Sequence, residues 1–224
     1  MGLNKQKGNM YPFVTHTWNP IRGKCPHDCV YCYMKVHPQP ELDFADKEME
    51  TNLGTGYFIF VGSSTDMWAY GVWAHWILRT LKHICRYPLN HYLFQSKNPS
   101  RFELFIPFMP SDFILGTTIE TNRDYEVSIA PTPEARMLAM RDLPRPTMVS
   151  IEPIMDFDLD ILVQWITGIK PLFVSVGADS KGHNLPEPDS GKTKALLEEL
   201  RGITKVYVKD NLKRLLRQEM PKVG

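Results

Sequence analysis

The feature that most constrains the fold is a series of short apolar runs, most of them followed by a stretch with helical periodicity. Continuous apolar runs that are bounded by Gly, Pro and polar residues are typical of parallel strands covered by helices. The predicted strands are residues 12–18, 57–62, 91–95, 113–119, 147–151, 172–177 and 205–208. The predicted helices are residues 66–86, 157–167, 192–200 and 209–219, and Asp189 and Ser190 are expected to cap the third.

Strands that alternate with helices predict a parallel sheet with right-handed crossovers. Six or seven such units in 224 residues favour an open or partial (β/α) barrel, because a complete eight-unit barrel takes about 250 residues. We therefore predict a single α/β domain over residues 1–224, with a strand and helix at its C-terminal end over 203–220. Chemistry is expected at the carboxyl ends of the strands.

Composition and charge exclude several classes of protein. The chain is 43% hydrophobic and 23% charged, with a formal net charge of +1, which argues against a disordered chain and a strongly basic nucleic-acid coat. No apolar run approaches the roughly 20 residues of a membrane span, and the first residues lack the apolar core of a signal peptide. We expect a cytoplasmic protein with reduced thiols and no membrane partner.

Three of the four cysteines lie within eight residues, as Cys25-Pro-His-Asp-Cys29-Val-Tyr-Cys32, in a loop (19–33) that follows the first predicted strand. Closely spaced thiols in a reducing compartment indicate metal ligands rather than disulfides. Three thiolates can hold three irons of a [4Fe–4S] cluster and leave the fourth iron open, whereas a fully ligated cluster takes four cysteines.

The C-x3-C-x-aromatic-C spacing after a first strand resembles the radical SAM superfamily. The resemblance implies a partial (β/α)6-type barrel with mostly parallel strands. It also implies a [4Fe–4S] cluster on Cys25, Cys29 and Cys32 that binds S-adenosylmethionine (AdoMet) and cleaves it reductively to a 5′-deoxyadenosyl radical. That radical abstracts hydrogen from a substrate, and an external donor such as flavodoxin or ferredoxin supplies the electron.

A longer set of motifs resembles a phage-associated family of uncharacterised radical SAM-like proteins that is distantly similar to spore photoproduct lyase. The motifs are WNPIRGKC, SSTDMW, FQSKNP, TIETN, VSIEPIM, VSVGAD and YVKDNL, from about Trp18 to Leu212. The chain departs from the superfamily after the second strand, where Gly-Gly-Glu-Pro is replaced by Gly-Ser-Ser-Thr-Asp at 62–66.

By this resemblance, several residues are expected to contact AdoMet. Tyr31 is expected on the adenine side, and the hydroxyl and carboxyl groups of residues 63–66 are expected near the methionine part; they are Ser63, Ser64, Thr65 and Asp66. The alternative for Ser64, Thr65 and Asp66 is a cap for the helix predicted to follow. Gly177 ends the sixth strand, where a glycine permits close approach of adenine or ribose, or simply makes a turn.

Two carboxylates end neighbouring strands. Alternation places Thr118 with Glu120 and Ser150 with Glu152 on one face of each strand, so these side chains are expected to form a polar pocket. Inward carboxylates are costly without partners, which predicts contact with a ligand or pairing with Lys or Arg. Lys97 and Lys209 end two other strands and can reach an anionic group.

The leading hypothesis is a radical SAM enzyme. A nucleic acid, a modified nucleotide and a protein side chain are the candidate substrates. A basic group near the last helix can bind phosphate or remain a solvated face; it comprises Lys205, Lys209, Lys213, Arg214 and Arg217. The alternatives are a non-catalytic Cys3His zinc or partner-recognition module, with His37, His27 or His16 as fourth ligand, and a member that binds AdoMet without cleaving it. Cys85 is expected to be a buried small hydrophobe, with a thiyl hydrogen donor as the alternative.

Overall fold

The computed structural model describes residues 2–6, 8, 10–143 and 146–217. Its strands are β1 (Asn4–Lys5), β2 (His16–Trp18), β3 (Ile21–Arg22), β4 (Asp43–Phe44), β5 (Phe58–Val61), β6 (His91–Ser96), β7 (Phe113–Thr118), β8 (Thr147–Ile151), β9 (Phe173–Val176) and β10 (Lys205–Val208). The α-helices are α1 (Ala74–Ile84), α2 (Pro133–Arg141), α3 (Leu159–Ile169), α4 (Ser190–Ile203) and α5 (Lys213–Leu216). Segments of 3-10 helix cover Tyr33–Val36, Asp46–Glu50, Pro99–Phe108 and Asp210–Leu212.

Eight strands form one sheet in the order β1-β2-β5-β6-β7-β8-β9-β10. The seven strands from β2 to β10 pair in parallel, and β1 is antiparallel to β2 at one edge. β3 and β4 make a separate hairpin. Because parallel neighbours need a crossover, each connection returns the chain from the carboxyl edge of the sheet to its amino edge. The predicted α/β fold with a mostly parallel sheet is confirmed.

Two apolar clusters lie on the two faces of the sheet. The larger packs the outer face of the strands against the helices, with fully buried residues that include Trp68, Leu81, Phe94 and Ile166. The smaller lies inside the curve of the sheet and contains Tyr11, Val14, Phe60, Leu93, Met148 and Phe173. The segment that precedes β2 therefore fills the barrel from within.

Phe13 shows how strongly the sheet curves. Its ring centroid lies 5.0 Å from Phe58 on β5, 4.8 Å from Phe173 on β9 and 5.6 Å from Tyr207 on β10. One side chain can touch strands this far apart in the sheet order only when the sheet is bent into a partial barrel. No helix in the described part of the chain has both the length and the apolar run that crossing a membrane requires.

All seven predicted strands are present, but the first is shorter than predicted, because residues 11–15 form a turn and the segment that fills the barrel. The predicted cap at Asp189 is confirmed: its carboxylate accepts a hydrogen bond from the Lys192 amide at 2.8 Å.

Two predicted helices differ from those observed. Residues 66–73 are not helical, because the Asp66 carboxylate binds the Trp68 amide and Gly71 has a φ of +88°. The predicted C-terminal helix is a 3-10 segment followed by α5, and residues 218–220 lie outside the described residues.

Truncation of Phe13 to alanine is expected to lower the free energy of unfolding by about 3 kcal/mol, the low end of the range for large aromatic side chains, since the ring is only partly buried. Denaturant unfolding monitored by circular dichroism measures the change. The matched control is Phe108→Ala, whose ring is 52% exposed, with an expected change below about 0.5 kcal/mol. Equal losses in the two variants would show that Phe13 does not hold the barrel together.

Candidate metal centre

The three clustered cysteines lie on the long connection from β2 to β5, at the carboxyl edge of the sheet. Cys29 is 8% exposed, and Cys25 and Cys32 are partly buried. All three are free thiols. Turns fold the segment back on itself, since the Asp28 amide donates to the Cys25 carbonyl (3.2 Å) and the Cys32 amide donates to the Cys29 carbonyl (3.1 Å). A set of three free thiols on one folded loop suits a cluster that each thiolate binds through a different iron.

Burial governs the ionisation of these thiols. Burial and the nearby Asp66 carboxylate raise the pKa of Cys25 to about 12, against opposing backbone hydrogen bonds. Burial also raises the pKa of Cys29. Iron binds thiolates, so metal binding at this loop is expected to release protons.

Asp66 ties the cysteine loop to the end of β6. Its Oδ2 accepts from His27 Nε2 (2.8 Å), from the Ser96 hydroxyl (2.8 Å) and from the Lys97 amide (2.9 Å). Burial would raise the pKa of Asp66, but the hydrogen bond and charge of His27 and the backbone donors outweigh it and lower the pKa. His27 lies between Cys25 and Cys29, so its hydrogen bond to Asp66 fixes the middle of the loop.

Glu120, at the end of β7, makes the second set of hydrogen bonds that anchor the cysteine loop. Glu120 is fully buried. Its carboxylate accepts hydrogen bonds from Lys97 Nζ (2.9 Å), Arg136 Nη1 (2.8 Å) and the Tyr31 hydroxyl. Burial would raise the pKa of Glu120, but the charges of Arg136 and Lys97, with the hydrogen bonds, lower it to about 2. Pairing with Lys and Arg, one of the two outcomes expected for this inward carboxylate, is present.

Residues 63–65 hold the loop from the end of β5. Asn19 Oδ1 accepts from the Ser63 hydroxyl (3.2 Å) and from the Ser64 amide (3.0 Å), and the Thr65 hydroxyl donates to the Gly23 carbonyl (2.9 Å). The helix begins only at Ala74, with Trp73 in the capping position, so residues 64–66 do not cap it. Residues 63–65 thus hold the entry to the cysteine loop in place.

The barrel interior carries a layer of polar side chains below the cysteine loop. Tyr11 donates its hydroxyl to Gln95 Oε1 (2.8 Å), and Gln95 Nε2 donates to the Thr118 hydroxyl (3.1 Å). Ser150 is buried and pairs in register with Thr118 and Ser175 on its neighbouring strands. Ser175 Oγ is buried and has no hydrogen-bond partner among the described residues, so it can still form a hydrogen bond inside the barrel.

Glu152 occupies the rim of the barrel above this layer. It accepts from Lys209 Nζ (2.6 Å) and from Asn211 Nδ2 (3.0 Å). A Cβ at Gly177 would approach Glu152 Oε1 to 2.7 Å, so the absence of a side chain at Gly177 makes room for this carboxylate. Both acids at the strand ends are therefore engaged by cations of the chain, Glu120 by Lys97 and Arg136 and Glu152 by Lys209.

Three of the five residues of the basic group near the last helix pair with carboxylates. Besides Lys209, Lys213 pairs with Asp210 (2.7 Å), Arg214 pairs with Glu187, and Lys205 Nζ lies 4.7 Å from the Tyr207 ring centroid. Neutralisation by neighbouring carboxylates reduces the attraction of this surface for a phosphate backbone.

The histidines considered as zinc ligands are not gathered around the thiols. His27 is bonded to Asp66, His37 is exposed after the segment Tyr33–Val36, and His16 lies on β2 with its ring 4.1 Å from that of Tyr57. Among the described residues, no three His, Cys, Asp or Glu side chains are close enough to bind one metal ion.

Cys85 is exposed, so the prediction of a buried side chain is wrong. It follows the last residue of α1, and its Sγ lies 3.6 Å from the Phe108 carbonyl oxygen. Since α1 runs away from the carboxyl edge, Cys85 lies at the other end of the barrel from the cysteine loop.

The contributions of Arg136, His27 and Tyr11 were not predicted. Arg136 lies in α2, which begins at a Pro-rich segment, and the sequence indicates His27 only as a candidate zinc ligand. Nothing in their local sequence indicates the partners, because Arg136 and Glu120 are 16 residues apart and His27 and Asp66 are 39 apart.

Glu120 is expected to make the free energy of unfolding depend on pH in the acid range. Its pKa is about 2 in the folded chain and about 4.3 in an unfolded one, so its charge stabilises the fold above pH 4.3. That contribution is lost as the pH falls from about 4.3 towards 2. We expect the free energy of unfolding of Glu120→Gln, from denaturant titrations, to depend less on pH in this window than that of the wild type. Exposed Glu103→Gln should follow the wild type, and equal slopes for all three would contradict the assignment.

The fold is similar to that of spore photoproduct lyase. A variant of that enzyme with bound AdoMet and dinucleoside spore photoproduct has a TM-score of 0.65 and 12% identity, over 91% of this chain and 78% of that one. A cysteine-to-serine variant has a TM-score of 0.66 at 12% identity, and a complex with dinucleoside spore photoproduct has a TM-score of 0.64 at 11% identity. Both cover 91% of this chain and 78% of the other. No family model and no curated protein matches the sequence. The fold of this chain is therefore that of spore photoproduct lyase.

Proposed function

We propose that this protein is a radical SAM enzyme that carries one [4Fe–4S] cluster on Cys25, Cys29 and Cys32. The observation that carries the proposal is the coincidence of three features. The thiols follow the C-x3-C-x2-C spacing, they lie on one folded loop after the first parallel strand, and the strands form a partial barrel like that of spore photoproduct lyase. The spacing and the fold are independent observations, since identity to the solved structures is only 11–12%.

When bound, the cluster and AdoMet supply reductive cleavage to a 5′-deoxyadenosyl radical, which removes hydrogen from the substrate. The protein binds, orients and shields these groups. The loop supplies three thiolates and no fourth cysteine, which leaves a coordination position for AdoMet. The apolar filling of the barrel, with Phe13 and Phe60 below the polar layer, excludes water from that side.

The predicted AdoMet contacts divide into two groups. Tyr31, Ser63, Ser64, Thr118, Ser150 and Gly177 border the loop and the barrel interior, and we propose them as contacts. Thr65, Asp66, Glu120 and Glu152 connect the loop or the rim to neighbouring elements, and we propose that they position these parts. Tyr31, Ser63 and Thr118 also hydrogen-bond within the chain.

For the substrate we propose a nucleic acid or nucleotide component. Its support is the fold of spore photoproduct lyase, whose solved complexes contain a dinucleoside. The pairing of Lys209, Lys213 and Arg214 with carboxylates favours a short nucleotide over a long polyanion, since it weakens the attraction of these cations for phosphates. The phage-associated family, the cytoplasmic location and a flavodoxin or ferredoxin electron donor remain predictions from the sequence.

Replacement of Cys25, Cys29 or Cys32 by alanine is expected to abolish cluster assembly. After anaerobic reconstitution, iron and sulfide analysis should find about four of each per wild-type chain and less than one in each variant. The wild type, reduced with AdoMet, should form 5′-deoxyadenosine, and the variants should form none.

Two controls separate the alternatives. Cys85→Ala and His37→Ala should keep full iron content, whereas a Cys3His zinc module that uses His37 would lose metal in the second variant and hold zinc in the wild type. Wild-type protein with four irons that binds AdoMet but forms no 5′-deoxyadenosine would identify a non-cleaving member and contradict the proposed reaction.

A further inference from the structure

A buried group of charged side chains lies against the cysteine loop. Lys97, 13% exposed, and Arg136, 3% exposed, both pair with the Glu120 carboxylate, which is 1% exposed. Lys97 and Arg136 each carry a positive charge and Glu120 a negative one, which leaves one net positive charge in the group. Charges withdrawn from water in this way are screened less by solvent and salt than surface charges are.

The group is in direct contact with the segment that holds the thiols. Tyr31, between the second and third cysteines, donates its hydroxyl to Glu120, and Lys97 Nζ lies 5.2 Å from its ring centroid. The same charges reach the Cys29 thiol. Burial raises the pKa of Cys29 most, Lys97 and Arg136 act to lower it, and Glu120 acts to raise it.

A cluster at these thiols gains one negative charge when it accepts an electron. A fixed buried cation nearby stabilises the reduced form, and a fixed anion destabilises it. Net charge and hydrogen bonding around a cluster are established determinants of its reduction potential. We propose that Lys97, Glu120 and Arg136 set the potential of the cluster, with the two cations raising it and the carboxylate lowering it. This inference rests on the proposed function, because it requires a cluster on the three cysteines.

The test uses two substitutions that change the charge in opposite directions. Lys97→Met removes a positive charge, and Glu120→Gln removes the negative one. The measurement is a redox titration of the reconstituted protein, followed by electron paramagnetic resonance and made without AdoMet, so that effects on its binding do not enter. At a fixed solution potential we expect the ratio of reduced to oxidised cluster to fall about tenfold in Lys97→Met and to rise about tenfold in Glu120→Gln. Each corresponds to a shift of about 59 mV for a one-electron couple.

The double variant Lys97→Met/Glu120→Gln regains the original net charge, and its ratio should return to within about threefold of the wild type. Lys97→Arg keeps the charge and should leave the ratio unchanged. The matched control is Lys192→Met on α4, whose lysine also pairs with a carboxylate, Asp156, and lies 5.1 Å from the ring centroid of Phe157. This substitution should not alter the ratio.

Opposite shifts support an electrostatic role, because a substitution that only loosens the loop has no reason to change sign with the charge removed. Shifts in the same direction, or unchanged potentials in variants that hold a full cluster, would overturn the inference. If Lys97→Met does not fold, Glu120→Gln decides alone. A rise in its ratio of reduced to oxidised cluster supports the inference, and a fall or no change in that ratio overturns it. Absence of a cluster in the wild type would instead contradict the proposed function.

Discussion

The candidate centre depends on one buried carboxylate. Folding removes the Glu120 carboxylate, at the end of β7, from contact with water. This desolvation costs free energy unless the carboxylate oxygens are paired and hydrogen-bonded. Lys97 from the end of β6, Arg136 from α2 and Tyr31 from the cysteine loop meet that requirement together. Removal of any partner would leave a buried charge under-compensated. The requirement therefore joins two strand ends, a helix and the cysteine loop in one arrangement.

The cysteine loop needs such ties because it lacks regular structure of its own between β3 and the segment Tyr33–Val36. Asp66 provides a second tie through His27, and Asn19 provides a third by accepting bonds from residues 63 and 64. The ties come from the ends of β5, β6 and β7, which are neighbours in the sheet. The position of the thiols is thus determined by the parallel sheet, and the apolar segment around Phe13 in turn holds the curvature of that sheet.

Much of the fold was predictable because it follows from local patterns. Continuous apolar runs located all seven parallel strands, and alternation along them placed Thr118 with Glu120 and Ser150 with Glu152 at the barrel side. Helix limits were less predictable. Helix α2 is absent from the predicted helices, although it begins at Pro133 and proline is well suited to the first turn of a helix. Conversely, the pattern over 66–73 looked helical, but Gly71 has a left-handed conformation there.

The site was predictable only in part, for a related reason. The cysteines are close in sequence, so their spacing alone indicated metal. The acids were identified as inward-facing, but their partners are distant in sequence, and only the folded chain brings His27 to Asp66 or Arg136 to Glu120. Such contacts pair buried charges that are far apart in the chain, so they produce no periodic pattern in the sequence. For the same reason, nothing in the sequence distinguished an acid that binds a ligand from one that anchors the loop.

The presence of an AdoMet-binding cluster can be tested by electron paramagnetic resonance of the anaerobically reconstituted and reduced protein, recorded with and without AdoMet. We expect the signal of a [4Fe–4S]+ cluster that changes when AdoMet is added, because three cysteines leave one iron open to it. A protein that takes up zinc and no cluster, or a cluster signal that AdoMet leaves unchanged, would contradict this expectation.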